Sequence, residues 1–190
     1  MNVARIIKHL ILPSWRLRRA FTSDTLGHIE RAIAASETKH TAEIRFAVES
    51  ALDSSALLRG QSAQARAVDV FSKLRVWDTE ANDGVLIYLL LADRVVEIVC
   101  DRAAHAKIDG EAWRNICRMM EIAFKQDKFE AGVLSGIEAI TQHLVTHFPR
   151  PDCALISANE LPNAPAVLYA RSDRQRHGED VGRGFRGSKY

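Results

Sequence analysis

The chain has 190 residues, 47% of them hydrophobic, enough for one domain with a full core and terminal extensions. The net charge of +2 names no partner, but its spread is uneven: residues 1–20 carry five Lys or Arg and no acid, residues 170–190 carry six against three acids, and residues 21–169 hold 15 basic and 21 acidic residues. Cys100, Cys117 and Cys153 form no CxxC pair, which argues against a disulfide framework or zinc cluster, and no apolar run nears the ~18 residues of a membrane span.

Residues 3–12 put Val3, Ile6, Ile7, Leu10 and Ile11 on one helical face, with Arg5 and Lys8 opposite. Pro13 stops that helix, and Trp15, Arg16, Arg18 and Arg19 follow as an aromatic-basic cluster. Two readings stand for this lead over residues 1–20: an amphipathic segment resting on an anionic membrane, or a helix docked on its own domain with solvated arginines. Its apolar stretches are short and split by Lys8-His9 and Pro13, and no small-residue cleavage site follows. A secretory signal is therefore not predicted, and a cytoplasmic location is expected.

A helix capped by Ser23 or Asp24 is predicted over 25–40, with Leu26, Ile29 and Ile33 as its stripe. From Thr41 to Glu49, Ile44, Phe46 and Val48 alternate with Glu43, Arg45 and Glu49, the pattern of a half-exposed strand. Residues 50–62 read as a loop or the start of a helix, and 63–75 as a helix with Ala67, Val70, Phe71 and Leu74 inward. Asn82-Asp83-Gly84 then opens the most apolar stretch: Val85 to Ala92, a polar break at Asp93-Arg94, and Val95 to Cys100. Both runs are strand-length and rich in Val and Ile, so a hairpin in the middle of a sheet is expected.

Strand, helix, strand at this spacing makes the first two strands parallel, and the hairpin makes the third antiparallel to the second. The continuous apolar second strand implies cover on both faces of this mixed sheet. A connecting loop is expected through Asp109-Gly110, then helices over 111–125 and 129–148, with Gly132 and Gly136 allowing close backbone approach. Residues 151–169 read as a proline-containing extended arm, and the Gly-, Arg- and Ser-rich segment 170–190 as a basic, disordered tail.

This topology gathers distant acids. Glu43 starts the first strand, Asn82 and Asp83 start the second, and Asp101 ends the third, so all four are expected at one sheet edge, with Asp78, Glu80 and Asp109 in flanking loops. Carboxylate and amide oxygens are hard ligands suited to Ca²⁺ or Mg²⁺. Glu43, Asn82, Asp83, Asp101 and Asp109 are thus the candidate metal ligands, against the alternative of a solvated acidic edge that blocks strand pairing. His143 and His147 have zinc-site spacing but Leu144 stands where the hydrolytic motif has Glu. Cys100 lacks an implied His or Cys partner, Gly84 lacks the companion glycines of a nucleotide loop, and the tail with Arg183, Phe185 and Arg186 reads as a solubilising terminus rather than a nucleic-acid binder.

The run from Phe71 through Trp77-Asp78, Asn82-Asp83-Gly84 and Val85-Leu-Ile-Tyr88, followed by Asp93-Arg94, Val96-Glu97-Ile98-Val99 and Asp101-Arg102, resembles the TPM domain. Glu37, Glu43-Ile44, Trp113, Phe124, the segment Phe129 to Ile137 and His147-Phe148-Pro149 fit the same pattern, which covers about residues 24–150. Asn159-Glu160-Leu161-Pro162 fits the family's bacterial soluble branch. The resemblance implies a three-layer α/β/α sandwich around a small mixed, mostly parallel sheet with a central β-hairpin. It implies divalent-metal binding at an acidic site in some members, an acid phosphatase role in plant thylakoid members and modulation of a membrane receptor in animal members. Ala103 departs from the pattern, standing where Gly usually follows the Asp-Arg pair.

Two functional readings follow. One is a non-catalytic accessory module serving a membrane-associated protein complex. The other is a metal-dependent phosphatase in which Glu43, Asp83 and Asp101 hold the ion that activates water.

Overall fold

The computed structural model describes residues 3–12, 14–150 and 159–170. The expectations for Pro13, Pro151, Cys153 and the tail from residue 171 onward lie outside the described residues.

A four-stranded sheet in the order β3-β2-β1-β4 organises the molecule. Strands β1 (Ile44–Glu49) and β2 (Val85–Leu90) pair in parallel, with Phe46 opposite Ile87. Strand β3 (Val95–Cys100) returns antiparallel to β2, pairing Val85 with Cys100 and Leu90 with Val95. The hairpin turn takes in Leu91 and Ala92 as well as Asp93-Arg94, with Arg94 at φ 55°. The hairpin therefore supplies one central strand, β2, and one edge strand, β3. The proline-containing arm supplies the other edge: β4 (Ala166–Leu168) lies parallel to β1, pairing Val167 with Val48. Alternation alone did not reveal so short a strand.

Period-two alternation sends Ile44, Phe46, Val48, Val85, Ile87 and Leu89 to one face and Ala47, Leu86, Tyr88 and Leu90 to the other. The first face is covered by α2 (Ser14–Ala20), α3 (Ser23–Glu37), α6 (Arg102–Lys107), α7 (Gly110–Lys125) and α8 (Phe129–His147). The second is covered by α4 (Ser54–Leu58) and α5 (Ala63–Lys73). Helix α1 (Val3–Ile11) precedes both layers. The result is the expected α/β/α sandwich, and every residue of β2 is buried.

Several local expectations change. Thr22, not Ser23 or Asp24, caps α3, its hydroxyl accepting from Thr25 N at 3.2 Å. Strand β1 is not half-exposed: five of its six residues are buried, because helices cover both faces and β4 covers its edge. The connection after Arg102 is a helix, α6, rather than a loop. Gly132 and Gly136 do bring helices together: a Cβ at Gly132 would sit 2.7 Å from Phe124 Cε1 on α7, and one at Gly136 would overlap Met120.

Candidate functional site

The acidic end of the sheet is assembled by backbone hydrogen bonds. Val85 N donates to Glu43 O at 2.8 Å, Asp101 N to Gly84 O at 2.9 Å, and Ala103 N to Asn82 O at 3.0 Å. These bonds bring the start of β1, the loop before β2 and the end of β3 to one place, as the topology predicts. Gly84 is required there because a Cβ would collide with the Val76 carbonyl.

Glu43 and Asp83 are both buried, at 6% and 1% exposure. Burial raises the Glu43 carboxyl above its ordinary range, and the Glu160 and Asp83 charges add to the shift. Asp83 is raised by burial too, with Glu160 and Asp101 as its acidic neighbours. Among the described residues, Glu43 receives only long contacts, from Glu160 N and Leu161 N at 3.4 Å each. Among the described residues, Asp83 Oδ2 and Asp101 Oδ2 are buried without a hydrogen-bond partner, while Asp101 Oδ1 accepts from Arg102 N at 2.7 Å. Burying a carboxylate oxygen unpaired is costly, so this end of the sheet has unmet capacity for a cation or donor.

Two candidate ligands are occupied by other duties. Asn82 sits at φ 52°, a left-handed conformation that Asn tolerates, and its Oδ1 accepts from Arg102 Nη2 at 2.5 Å. Asp109 caps α7, accepting from Glu111 N at 3.2 Å, so its carboxylate serves the helix. Of the flanking acids, Asp78 pairs with Arg75 at 2.7 Å, and Glu80 joins the site only through its backbone N–H, which donates to Glu160 Oε2 at 2.8 Å.

Glu160 is the residue that local pattern does not assign. It lies 117 positions from Glu43 and arrives because the arm is clamped against the sheet: Arg45 donates to the carbonyls of Pro162 and Ala164, and Leu161 is buried at 5% exposure. Glu37 extends the acidic group, accepting from Ile44 N at 2.9 Å, and burial raises its carboxyl to about 7, with the Glu43 charge contributing. Among the described residues, no three or more His, Cys, Asp or Glu converge as a ready set of metal ligands.

Among the described residues, the other candidates join no such set. The His143 ring packs 6.3 Å from that of Trp113. Burial lifts the Cys100 thiol to about 11 and the Cys117 thiol to about 12, so both stay protonated and poorly nucleophilic near neutrality.

An α/β/α sandwich with an acidic end built from β1, the β2 lead-in and β3 is the class of protein defined here. The TPM domain pattern matches residues 17–143, and the chain belongs to the TPM domain family. Among solved structures, it is similar to the BA42 protein from the psychrophilic bacterium Bizionia argentinensis, determined by NMR. The two are 27% identical with a TM-score of 0.66, over 77% of this chain and 94% of that one. No curated protein matches the chain.

Proposed function

We propose that this protein is a non-catalytic accessory module of a membrane-associated protein complex, acting from the cytoplasmic side, with a divalent cation, Ca²⁺ or Mg²⁺, taken at the acidic sheet end. Glu43, Asp83 and Asp101 are the proposed ligands, with Glu160 added from the arm. Asn82 is left out because its Oδ1 already serves Arg102, and Asp109 because it is exposed and caps α7, whereas Asp101, which caps α6 through Oδ1, keeps Oδ2 buried. The observation that carries the reading is the pair of buried carboxylate oxygens, Asp83 Oδ2 and Asp101 Oδ2, without partners among the described residues. Hard oxygen donors of like charge fit a hard divalent ion, which would relieve their repulsion and supply the missing partner. A non-catalytic role is favoured by the two protonated thiols and by the engagement of Arg102 with Asn82.

The test measures melting temperature with and without millimolar Ca²⁺ or Mg²⁺, and phosphatase turnover on the same sample. A cation at a hundred times its dissociation constant stabilises the fold by about 2.7 kcal/mol. The expected result is a rise in melting temperature, lost in Asp101→Asn and Glu43→Gln, with no turnover. No rise would remove the cation. Turnover abolished by the same two substitutions, with folding intact, would replace the accessory module with a phosphatase.

A further inference from the structure

Helix α1 is docked on the domain by its polar face. Arg5 and His9, one turn apart, point inward: Arg5 Nε donates to Asp93 Oδ2 at 2.9 Å and Nη1 to Gln61 O at 2.8 Å. The His9 ring is fully buried, with Nδ1 accepting from Leu52 N at 3.0 Å and Nε2 lying 3.0 Å from Asp93 Oδ1. Because Nδ1 is an acceptor, the ring proton sits on Nε2, facing the carboxylate. Ile6 of α1 packs against one core, and Leu12, just past the helix, against the other.

The rest of the apolar stripe faces solvent. Val3 is 60% exposed, Ile7 50%, Leu10 64% and Ile11 70%, and Trp15 at the start of α2 is 54% exposed. A helix docked on a soluble core normally buries that stripe and solvates its charges; here the arrangement is reversed. The stripe borders an open groove of about 950 Å³ with Lys8, Arg16 and Arg19 on its rim. The rim's acid, Asp127, is paired with Arg94 at 2.6 Å. Residues 1–20 contain no Asp or Glu.

We infer that this face, the outward stripe of α1 with Trp15 and its basic rim, docks on the surface of an anionic lipid bilayer. The apolar side chains enter the boundary between headgroups and acyl chains, Trp15 sits at headgroup level, and Lys8, Arg16 and Arg19 meet the lipid phosphates. A neutral protein groove would match the stripe but leave the basic rim, whose acid Asp127 is already paired with Arg94, unmatched; an anionic bilayer satisfies both. The latch of Arg5, His9 and Asp93 holds the helix in place, so its apolar face is presented before contact. The inference deepens the membrane-associated reading above, yet stands apart from its cation: the face and the acidic sheet end share no residue.

The experiment is sedimentation of the full-length protein with phosphatidylglycerol–phosphatidylcholine vesicles and with phosphatidylcholine vesicles, both in chelator. The expected result is co-sedimentation with the anionic vesicles alone, weakening as salt rises. Ile7→Asp with Leu10→Asp abolishes it while melting temperature holds, since both side chains are already exposed. Arg16→Gln with Arg19→Gln weakens it by about five-fold per charge. Asp101→Asn leaves it unchanged, which separates this face from the cation proposal. No sedimentation, equal sedimentation with neutral vesicles, or binding that survives Ile7→Asp with Leu10→Asp overturns the inference. So does a vesicle-free dimer that the same double variant dissolves, which would assign the face to a second copy.

Discussion

His9 Nε2 lies 3.0 Å from Asp93 Oδ1, fastening the first helix to the turn of the hairpin. Burial alone would raise the Asp93 carboxyl, but His9 and Arg5 beside it outweigh that and hold the group below its ordinary range. Asp93→Asn removes the carboxylate charge that both side chains use. The expected loss is ~1.5–3 kcal/mol, the usual range for hydrogen bonds to charged groups. Hydrogen exchange should localise the loosening to α1, leaving the amides of β1 and β2 protected. Uniform loss of protection across the sheet would mean that the latch supports the core instead.

Glu49 is buried at 3% exposure, held by Arg66 through two hydrogen bonds of 2.8 Å and by the Tyr88 hydroxyl at 2.6 Å. Arg66→Met strands that charge inside the fold and should cost ~3–5 kcal/mol. Adding Glu49→Leu removes the stranded charge, so the double variant is expected to recover much of the loss. Denaturant melts of the two singles and the double measure this directly; additive losses would contradict it.

Gly84 and Gly60 separate two reasons for glycine. Gly84 has no room for a Cβ against the rigid Val76 carbonyl, and Gly84→Ala should destabilise by about 3 kcal/mol or more. Gly60 has open space but a φ of +70°, so Gly60→Ala should cost only the ~1–2 kcal/mol of a left-handed residue. Equal losses at the two positions would refute the steric argument at Gly84.

His40 and Glu37 oppose each other in pH dependence. His40 is fully buried; burial lowers it from 6.5 to about 4, so its contribution is complete above pH 6.5 and is lost as pH falls towards 4. That swing is about 3 kcal/mol. Glu37 is raised by burial from 4.5 to about 7, so its contribution is complete below pH 4.5 and is lost as pH rises through 7. His40→Gln should therefore make stability fall more steeply with pH across this window, and Glu37→Gln should make it rise more steeply. Melts of both variants and the parent between pH 4 and 7.5 check the signs. A difference from the parent that does not vary with pH would rule out the titration of that residue.

Asp83→Asn should raise the melting temperature in chelator, since it neutralises a buried carboxylate that faces Glu160 and Asp101. In Ca²⁺ the order should reverse, with the parent gaining stability and the variant gaining little. A variant less stable than the parent in chelator would mean that the charge is already compensated within the fold.

The sequence by itself determined the layers. Unbroken burial of β2 follows from a run without a charge, and the parallel β1–β2 pair follows from the helix between them. It also placed Glu43, Asp83 and Asp101 at one sheet end, because strand direction alone decides which ends are neighbours. Local pattern could not assign Glu160 or β4, since both depend on where an arm more than a hundred residues downstream settles, and only the Arg45 clamp and the free edge of β1 decide that. Nor could it exclude Asp109, whose carboxylate is spent on a helix that local geometry starts one residue later. The apolar stripe of α1 was legible as a stripe, but not which way it faces. That depends on a buried histidine and an aspartate 84 positions apart, a tertiary pairing that turns the polar face of the helix inward.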